Sequence, residues 1–404
     1  MPKKFSYKAR NQSGKLVTGK VEAENRNKAI TLLRERSLFV VQINEALGEV
    51  SINLDNIFQK KVSTRELSVM CRQFATMTQA GVPILQSLNI LTLQCDHKVL
   101  KETLRKVTEN IEGGVSLAES FKSFPKIFPP IFISMVEAGE VGGALDQVLE
   151  RLAANFEKEH DLKEKVKSAM TYPAVVVMVA VLAIAALLIF VVPKFMTMLT
   201  DMQAPIPLTT QLIIKFSDFL KNFWYIVLFT IAGAFFGYKQ AVKTEKGKKI
   251  KDQVVLKLPV FGPMIQKIIV ARFCRSLSTL LKSGVPVLQS LEVVKNIAGN
   301  YAVVKSIKEA EKSIKEGQSI SLPLQKSRVF PPMVTRMMAI GEETGSIDTL
   351  LEKIADFYER EVDDLVSRLS SMLEPVLIVG MGGVVGFIIL SIMLPMFSVI
   401  DNVK

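Results

Sequence analysis

Apolar and polar positions along this 404-residue chain fall into three patterns. Near the start they alternate. Phe5, Tyr7 and Ala9 stand between polar neighbours, Gln12-Ser13-Gly14-Lys15 is a turn, and residues 16–23 and 39–43 read as further strands around a helix that Asn25 would cap. From Ser63 onward the spacing changes to three and four. Ser63 and Glu66 are placed as a capping box, and Leu67, Met70, Cys71, Phe74 and Met77 form the stripe of an amphipathic helix. Gly81 can end that helix in a left-handed conformation, and Pro83 suits the start of the next. The third pattern is three runs without a charge, at residues 174–192, 222–238 and 375–400. Nineteen helical residues span about 28 Å, enough for the hydrocarbon core of a bilayer. Trp224, Tyr225 and Tyr238 bracket the second run as an interfacial belt would.

The chain repeats itself. Cys71-Arg72 and the string Gly81-Val82-Pro83-Ile84-Leu85-Gln86-Ser87-Leu88 recur 203 residues on as Cys274-Arg275 and Gly284-Val285-Pro286-Val287-Leu288-Gln289-Ser290-Leu291; ten of the 21 positions from 71 to 91 are identical. At an offset of 202, Phe128-Pro129-Pro130, Gly139-Glu140 and Gly143 match Phe330-Pro331-Pro332, Gly341-Glu342 and Gly345, and Pro173 and Pro193 match Pro375 and Pro395. The first and third apolar runs are thus equivalent. No helix breaker stands between Ala144 and Pro173, so a long helix is expected to run from a helical bundle straight into the first span, and again from Ile347 into the third.

Charge gives this plan a direction. Lysine and arginine exceed aspartate and glutamate by 51 − 39 = 12. The excess flanks the runs: Arg151, Lys158, Lys163, Lys165 and Lys167 precede the first, and Lys239, Lys243, Lys246, Lys248, Lys249 and Lys251 follow the second. Positive-inside logic places residues 1–170 and 239–374 in the cytoplasm. The expected fold is mostly α, a polytopic membrane protein with three transmembrane helices and two homologous cytosolic helical bundles, plus a small ββαβ amino-terminal module. Its parts are that module at 1–43, a linker at 44–62, a first bundle at 63–169, transmembrane helices at 170–193, 222–238 and 375–400, a periplasmic loop at 194–221, a basic cytosolic connector at 239–265, a second bundle at 266–374 and a periplasmic tail at 401–404.

Catalytic chemistry finds little support. Residues 299–306 carry Lys305-Ser306 but have Val304 where a phosphate-binding loop needs glycine. No GxSxG, HExxH or CxxC string occurs, and three cysteines and two histidines suit neither a disulfide scaffold nor a zinc module. His97 and His160 read as solvated surface residues. No catalytic, metal-binding or cofactor-binding residue is assigned and no cofactor is expected. The apolar runs hold no ionisable residue, which argues against an ion-coupled transporter, and Ser391 alone makes a poor case for a membrane enzyme. The basic runs lack interleaved aromatics, so no nucleic acid is expected as a partner. Contact with anionic lipid of the bilayer is the simpler reading. The turn motifs Gly139, Glu140, Gly143 and Gly341, Glu342, Glu343, Gly345 read first as tight interhelix turns whose glutamates cap the next helix; contact with a basic partner or a cation is the alternative. Gly233 and Gly237, and Gly382 and Gly386, are small-residue faces suited to helix packing in lipid.

With these motifs the chain resembles the inner-membrane platform proteins of type IV pilus and type II secretion machines (PilC/GspF). The resemblance extends over nearly the whole chain. It rests on the Gly-Val-Pro-x-Leu-x-x-Leu string twice, the Phe-Pro-Pro … Gly-Glu … Gly string twice, the three spans, and Leu258-Pro259-Val260-Phe261-Gly262-Pro263 ahead of Ala271-Arg272-Phe273. It implies a non-enzymatic protein of the bacterial cytoplasmic membrane, multi-pass with a cytoplasmic amino terminus. It implies binding to a hexameric cytosolic assembly or retraction ATPase, transmission of that motion to pilin or pseudopilin, contact with inner-membrane alignment proteins, and self-association as a homo-oligomer. The pilus branch is favoured over the secretion branch.

Overall fold

The computed structural model describes residues 3–10, 16–23, 26–35, 39–45, 61–201, 208–259, 261–327 and 329–402, in two compact units, residues 1–60 and 61–404. In the first unit, β1 (Lys3–Arg10), β2 (Leu16–Ala23), α1 (Arg26–Glu35) and β3 (Phe39–Glu45) follow one another. β1 is the central strand of an antiparallel sheet in the order β2-β1-β3, with a register shift between Lys8 and Ala9. The period of two puts Phe5 and Ala9 on one face, where Ala29 and Leu33 of α1 cover it. Of the stretch expected as a linker, residues 46–60 lie outside the described residues.

The second unit is helical. α2 (Thr64–Gln79), α3 (Ile84–Gln94), α4 (Lys98–Glu112), α5 (Leu117–Lys122), α6 (Pro130–Gly142) and α7 (Leu145–Ala186) form the first repeat. After a π-turn at Leu187–Val191 come α8 (Val192–Asp201), α9 (Leu208–Ala241) and α10 (Glu245–Lys257). α11 (Phe261–Lys282), α12 (Val287–Ile297), α13 (Tyr301–Lys315), α14 (Ser321–Lys326), α15 (Pro332–Thr344) and α16 (Ile347–Asn402) then restate the first repeat in the same order.

Local chemistry sets these boundaries. The Ser63 hydroxyl accepts from the Glu66 N–H while the Glu66 carboxylate accepts from Ser63, closing the capping box. Gly143 and Gly345 hold φ of 65° and 68° at the ends of α6 and α15, a conformation that costs a residue with a Cβ about 1–2 kcal/mol. His97 departs from expectation. It is half-buried, and its Nδ1 accepts from the Leu100 N–H at 3.3 Å, so it caps α4 rather than standing in solvent. One continuous apolar core runs through both bundles. In the first it centres on Phe121, Phe128 and Phe132, with ring centroids 4.5 to 4.8 Å apart; in the second, Phe330 meets Phe273 at 4.9 Å.

The helices that leave the bundles are long. α7 continues through Pro173, and the π-turn lies just ahead of Pro193, where widening the helix accommodates a ring that would strike the carbonyl four residues back. α7 and α16 each contain a stretch long and apolar enough to cross a membrane, and the number of spans rises to as many as four if each of two bent helix pairs counts as one. One such pair lies within α9, where Thr210–Phe219 and Lys221–Ala241 are bent by 66° and Phe223 leaves helical backbone angles.

Two connecting segments carry helix. Of residues 194–221, expected as a periplasmic loop, 194–201 and 208–221 are helical: Ile213 packs with Leu188, Val192 and Ile388, Ser217 donates to the Leu188 carbonyl, and Thr210 donates to that of Ser391, each at 2.5 Å. Lys215, Asp218 and Lys221 mask that apolar periodicity in the sequence. Residues 239–265, read as a connector, include α10, whose buried Asp252 accepts from the Tyr301 N–H at 2.9 Å and so caps α13. α10 is thereby tied to α13 of the second repeat.

Candidate functional site

The feature that distinguishes this fold is the junction where α7 and α16 leave the shared core side by side. They run parallel. Lys158 lies 3.8 Å from Glu359 and, further along both helices, Lys165 lies 2.6 Å from Asp363. Below this seam each repeat holds an arginine clamp. Arg72 on α2 pairs with Glu150 and, at 2.9 Å, with Glu157 on α7. Its counterpart Arg275 on α11 grips both oxygens of Glu359 at 2.9 and 2.8 Å and also pairs with Asp356. Burial disfavours the Arg275 charge, but the hydrogen bonds to Glu359 and Asp356 outweigh it and raise its pKa. The acids sit at i and i+7 on α7, and on α16 at i, i+4 and i+7 with Glu352 at 4.0 Å from Arg275 completing the set, so the clamps lock the first helix of each bundle to the helix that enters the apolar run. Sequence reasoning missed them. The signal was present, because Glu150 and Glu157 recur at offset 202 as Glu352 and Glu359.

The repeated turns lie at the foot of the same long helices. Glu140 accepts from the N–H groups of Leu117 and Ala118 at 2.8 and 3.0 Å, and Glu342 accepts from the Ile320 N–H at 2.9 Å and the Ser319 hydroxyl at 2.5 Å. Each therefore caps the short helix that precedes it, α5 or α14, not the helix that follows. Such a cap contributes about 1 kcal/mol. Glu343 is exposed beside Arg336 in a shallow pocket. Gly139 and Gly341 sit where the chain doubles back: a Cβ at Gly139 would meet Val148 Cγ2 at 3.0 Å, and one at Gly341 would meet Ile347 Cα at 2.8 Å.

Gly81 and Gly284 turn with φ of 78° and 80°, Val82 and Val285 follow, and Pro83 and Pro286 stand at the N-caps of α3 and α12. These strings are joints between helices, each just past the end of the helix that carries the clamp arginine. Gly233, Gly237, Gly382 and Gly386 face open space, with nothing within 4 Å of an added Cβ. What the structure brings together is two parallel helices, two clamps and two capped turns, all tied to one core. Among the described residues no group of three or more His, Cys, Asp or Glu side chains is arranged to hold a metal ion.

A duplicated helical bundle feeding two parallel apolar helices is the architecture of a membrane-anchored scaffold. Comparison with known proteins gives the family. The family model described as type II secretion system (T2SS), protein F, matches residues 70–193 and again 273–395, and the model of that protein's N-terminal domain matches residues 1–44. The chain is 41% identical to the type IV pilus assembly protein PilC of Thermus thermophilus over 99% of both chains, and 40% identical to that of Myxococcus xanthus over 99% of this chain and 96% of the other. It is 35% identical to the type II secretion system protein F of Aeromonas hydrophila over 92% of this chain and 96% of the other. The chain belongs to this family of pilus and secretion proteins, on its type IV pilus side.

Proposed function

We propose that this chain is the inner-membrane platform of a type IV pilus assembly machine, coupling a hexameric cytosolic ATPase to insertion or removal of pilin subunits. The observation that carries the reading is the continuity of α7 and α16 from one shared core into apolar runs: displacement of the bundles moves the membrane segments with them, because the core is close-packed and the long helices are clamped to it. In this reading residues 174–192, 222–238 and 375–400 are three spans crossing in–out, out–in and in–out. The ββαβ module and both bundles are cytoplasmic, alignment proteins of the inner membrane flank the chain, and it acts as a homo-oligomer. It performs no catalysis itself. The 35% identity to a type II secretion protein F supports the equivalent platform of a secretion system as the second reading.

The coupling is tested by inserting three glycines after Ser168, which breaks α7 between the core and the apolar run. Fibre assembly is expected to fail while the chain remains inserted, at normal abundance and bound to the ATPase; normal fibres from this variant would reject the coupling. The topology is tested with an impermeant thiol reagent applied from outside to a chain in which Cys95 is serine. Gln203→Cys and Asn402→Cys should label and Lys248→Cys should not.

A further inference from the structure

The two repeats meet through different faces. α6 of the first packs on α11 and α12 of the second, and α7 packs on α11 and α16. A two-fold contact would also lay α15 on α2 and α3, and among the described residues no comparable contact exists. The joint is head-to-tail. Asn155 donates to the Thr279 hydroxyl at 3.4 Å, Arg151 donates to the Lys282 carbonyl, and Arg272 pairs with Glu159 at 3.7 Å. A head-to-tail joint between two equivalent bundles leaves one copy of each face unused: the α2–α3 face of the first and the α15–α16 face of the second.

Both unused faces expose apolar side chains whose counterparts at the joint are covered or polar. Ile131 on the covered α6 is 3% exposed, and its counterpart Met333 on α15 is 39% exposed. Ala138 is half-buried, and its counterpart Ile340 is 53% exposed. Where the joint has Asn155, the open face has exposed Phe357; where the joint has Arg272, the other open face has exposed Val69, while Ile84 and Leu85 on α3 are as exposed as their counterparts Val287 and Leu288 on α12. Replacing polar by apolar groups on both sides of one joint makes the two open faces complementary to each other. Isolated exposed apolar side chains need no explanation, but a set at positions equivalent to an existing joint does. The parallel run of α7 and α16 also fixes orientation, since repeating the bundle-to-bundle operation carries a second chain into the same bilayer, facing the same way.

We propose that the α15–α16 face of one chain docks on the α2–α3 face of a second copy, extending the internal joint into a row or ring of bundles. The inference rests on the platform reading and adds to it the surface through which copies meet. It is tested in full-length chains in which Cys95 is serine, while the buried Cys71 and Cys274 remain. Two differently tagged copies, one with Leu85→Cys and the other with Ile340→Cys, are expressed together, and membranes are treated with a short bis-maleimide. A mixed-tag dimer is expected, with loss of that product when both copies carry the same cysteine. A single chain carrying both substitutions should give a ladder of multiples, and adding Glu at the exposed position Met333 (Met333→Glu) should abolish it. Dimers from Leu85→Cys alone or Ile340→Cys alone, or no mixed dimer where an amine cross-linker still captures dimers, or a monomer throughout, would overturn the proposal and leave the platform reading standing. Normal fibres in cells lacking the chain would instead remove the platform reading.

Discussion

The first and second bundles restate one design, but they hold it together differently. Arg72 grips Glu150 and Glu157 from a side chain 42% exposed, while Arg275 grips Glu359 and Asp356 from one only 14% exposed. The difference follows from the joint between the bundles. α7 of the first lies against α11 and α16 of the second, and so covers the second clamp, whereas nothing among the described residues comparably covers the first. Lys158 reaches across to Glu359, so the second clamp also lies where the two bundles touch. The same residue types, duplicated, have become an edge fastening in one place and a buried cross-brace in the other. Electrostatic strength depends on this placement: exposed pairs contribute about 0.2–1 kcal/mol, whereas removing one partner of a buried pair costs about 3–5 kcal/mol because the other charge is left uncompensated.

The comparison breaks first on the arginines. Arg275→Ala should destabilise the second unit by up to about 3 kcal/mol, because buried Glu359 is left with only Lys158 at 3.8 Å while Asp356 is partly exposed. Arg72→Ala should lose under about 1 kcal/mol. Thermal melts of the full chain in detergent, followed by circular dichroism, measure both. Equal losses would mean that the buried and exposed clamps are equivalent after all. A smaller asymmetry is expected at the turns. An alanine at Gly341 would put its Cβ 2.8 Å from the Ile347 backbone, whereas at Gly139 the nearest atom is the tip of Val148 at 3.0 Å, with Leu145 Cα at 3.2 Å. With Val148 Cβ at 3.1 Å as well, the Gly139 contacts all need small shifts, whereas the 2.8 Å approach at Gly341 is to backbone and needs a larger one. Gly341→Ala should therefore cost more than Gly139→Ala within the range of about 1–3 kcal/mol typical of overpacking, and the same melts would expose a reversed order.

How much of this was legible in the sequence depends on how far apart the partners are. The capping box at Ser63 and Glu66 and the left-handed turns at Gly143 and Gly345 are local, so residue type and spacing announce them. The duplication is visible because two copies can be laid side by side. The clamps were not read, because Glu150 and Glu157 look like the solvated face of a helix until Arg72, some eighty residues away, is folded against them. Glu140 was read as a cap, but for the wrong helix: only the doubling back of α6 against α5 brings its carboxylate to Leu117 and Ala118. The helical arm within 194–221 was hidden because Ile213 and Ile214 stand among lysines and an aspartate, and their apolar partners, Leu188 and Ile388, belong to other segments. The open faces on α3 and α15 were invisible for a related reason. Met333 and Ile340 look like ordinary helix-face residues until Ile131 and Ala138 are seen covered.

The finest test asks whether the two bundles are one cooperative body. Cys71 and Cys274 are equivalent, both fully buried, and each adjoins its clamp arginine. Burial pushes both thiols above their ordinary 9.0, and the neighbouring Arg72 or Arg275 pulls back only in part. In the folded chain both should resist a maleimide at neutral pH, because the thiolate is the reactive form and neither sulfur is accessible. In the unfolded chain both ionise near 9.0. The stability this contributes is complete below that pH and is lost as pH rises above it, by up to about 1.4 kcal/mol per unit per thiol, since the unfolded state then binds fewer protons. If one core spans both bundles, pulse labelling across a urea series should expose Cys71 and Cys274 at a single midpoint, and raising the pH past 9.0 should move the two together. Mass spectrometry of the labelled peptides reads each thiol separately. Earlier labelling of Cys71 would mean that the half-exposed clamp lets the first bundle open alone. Motion would then reach the membrane through α16 without α7, and the shared core would no longer be the unit that moves.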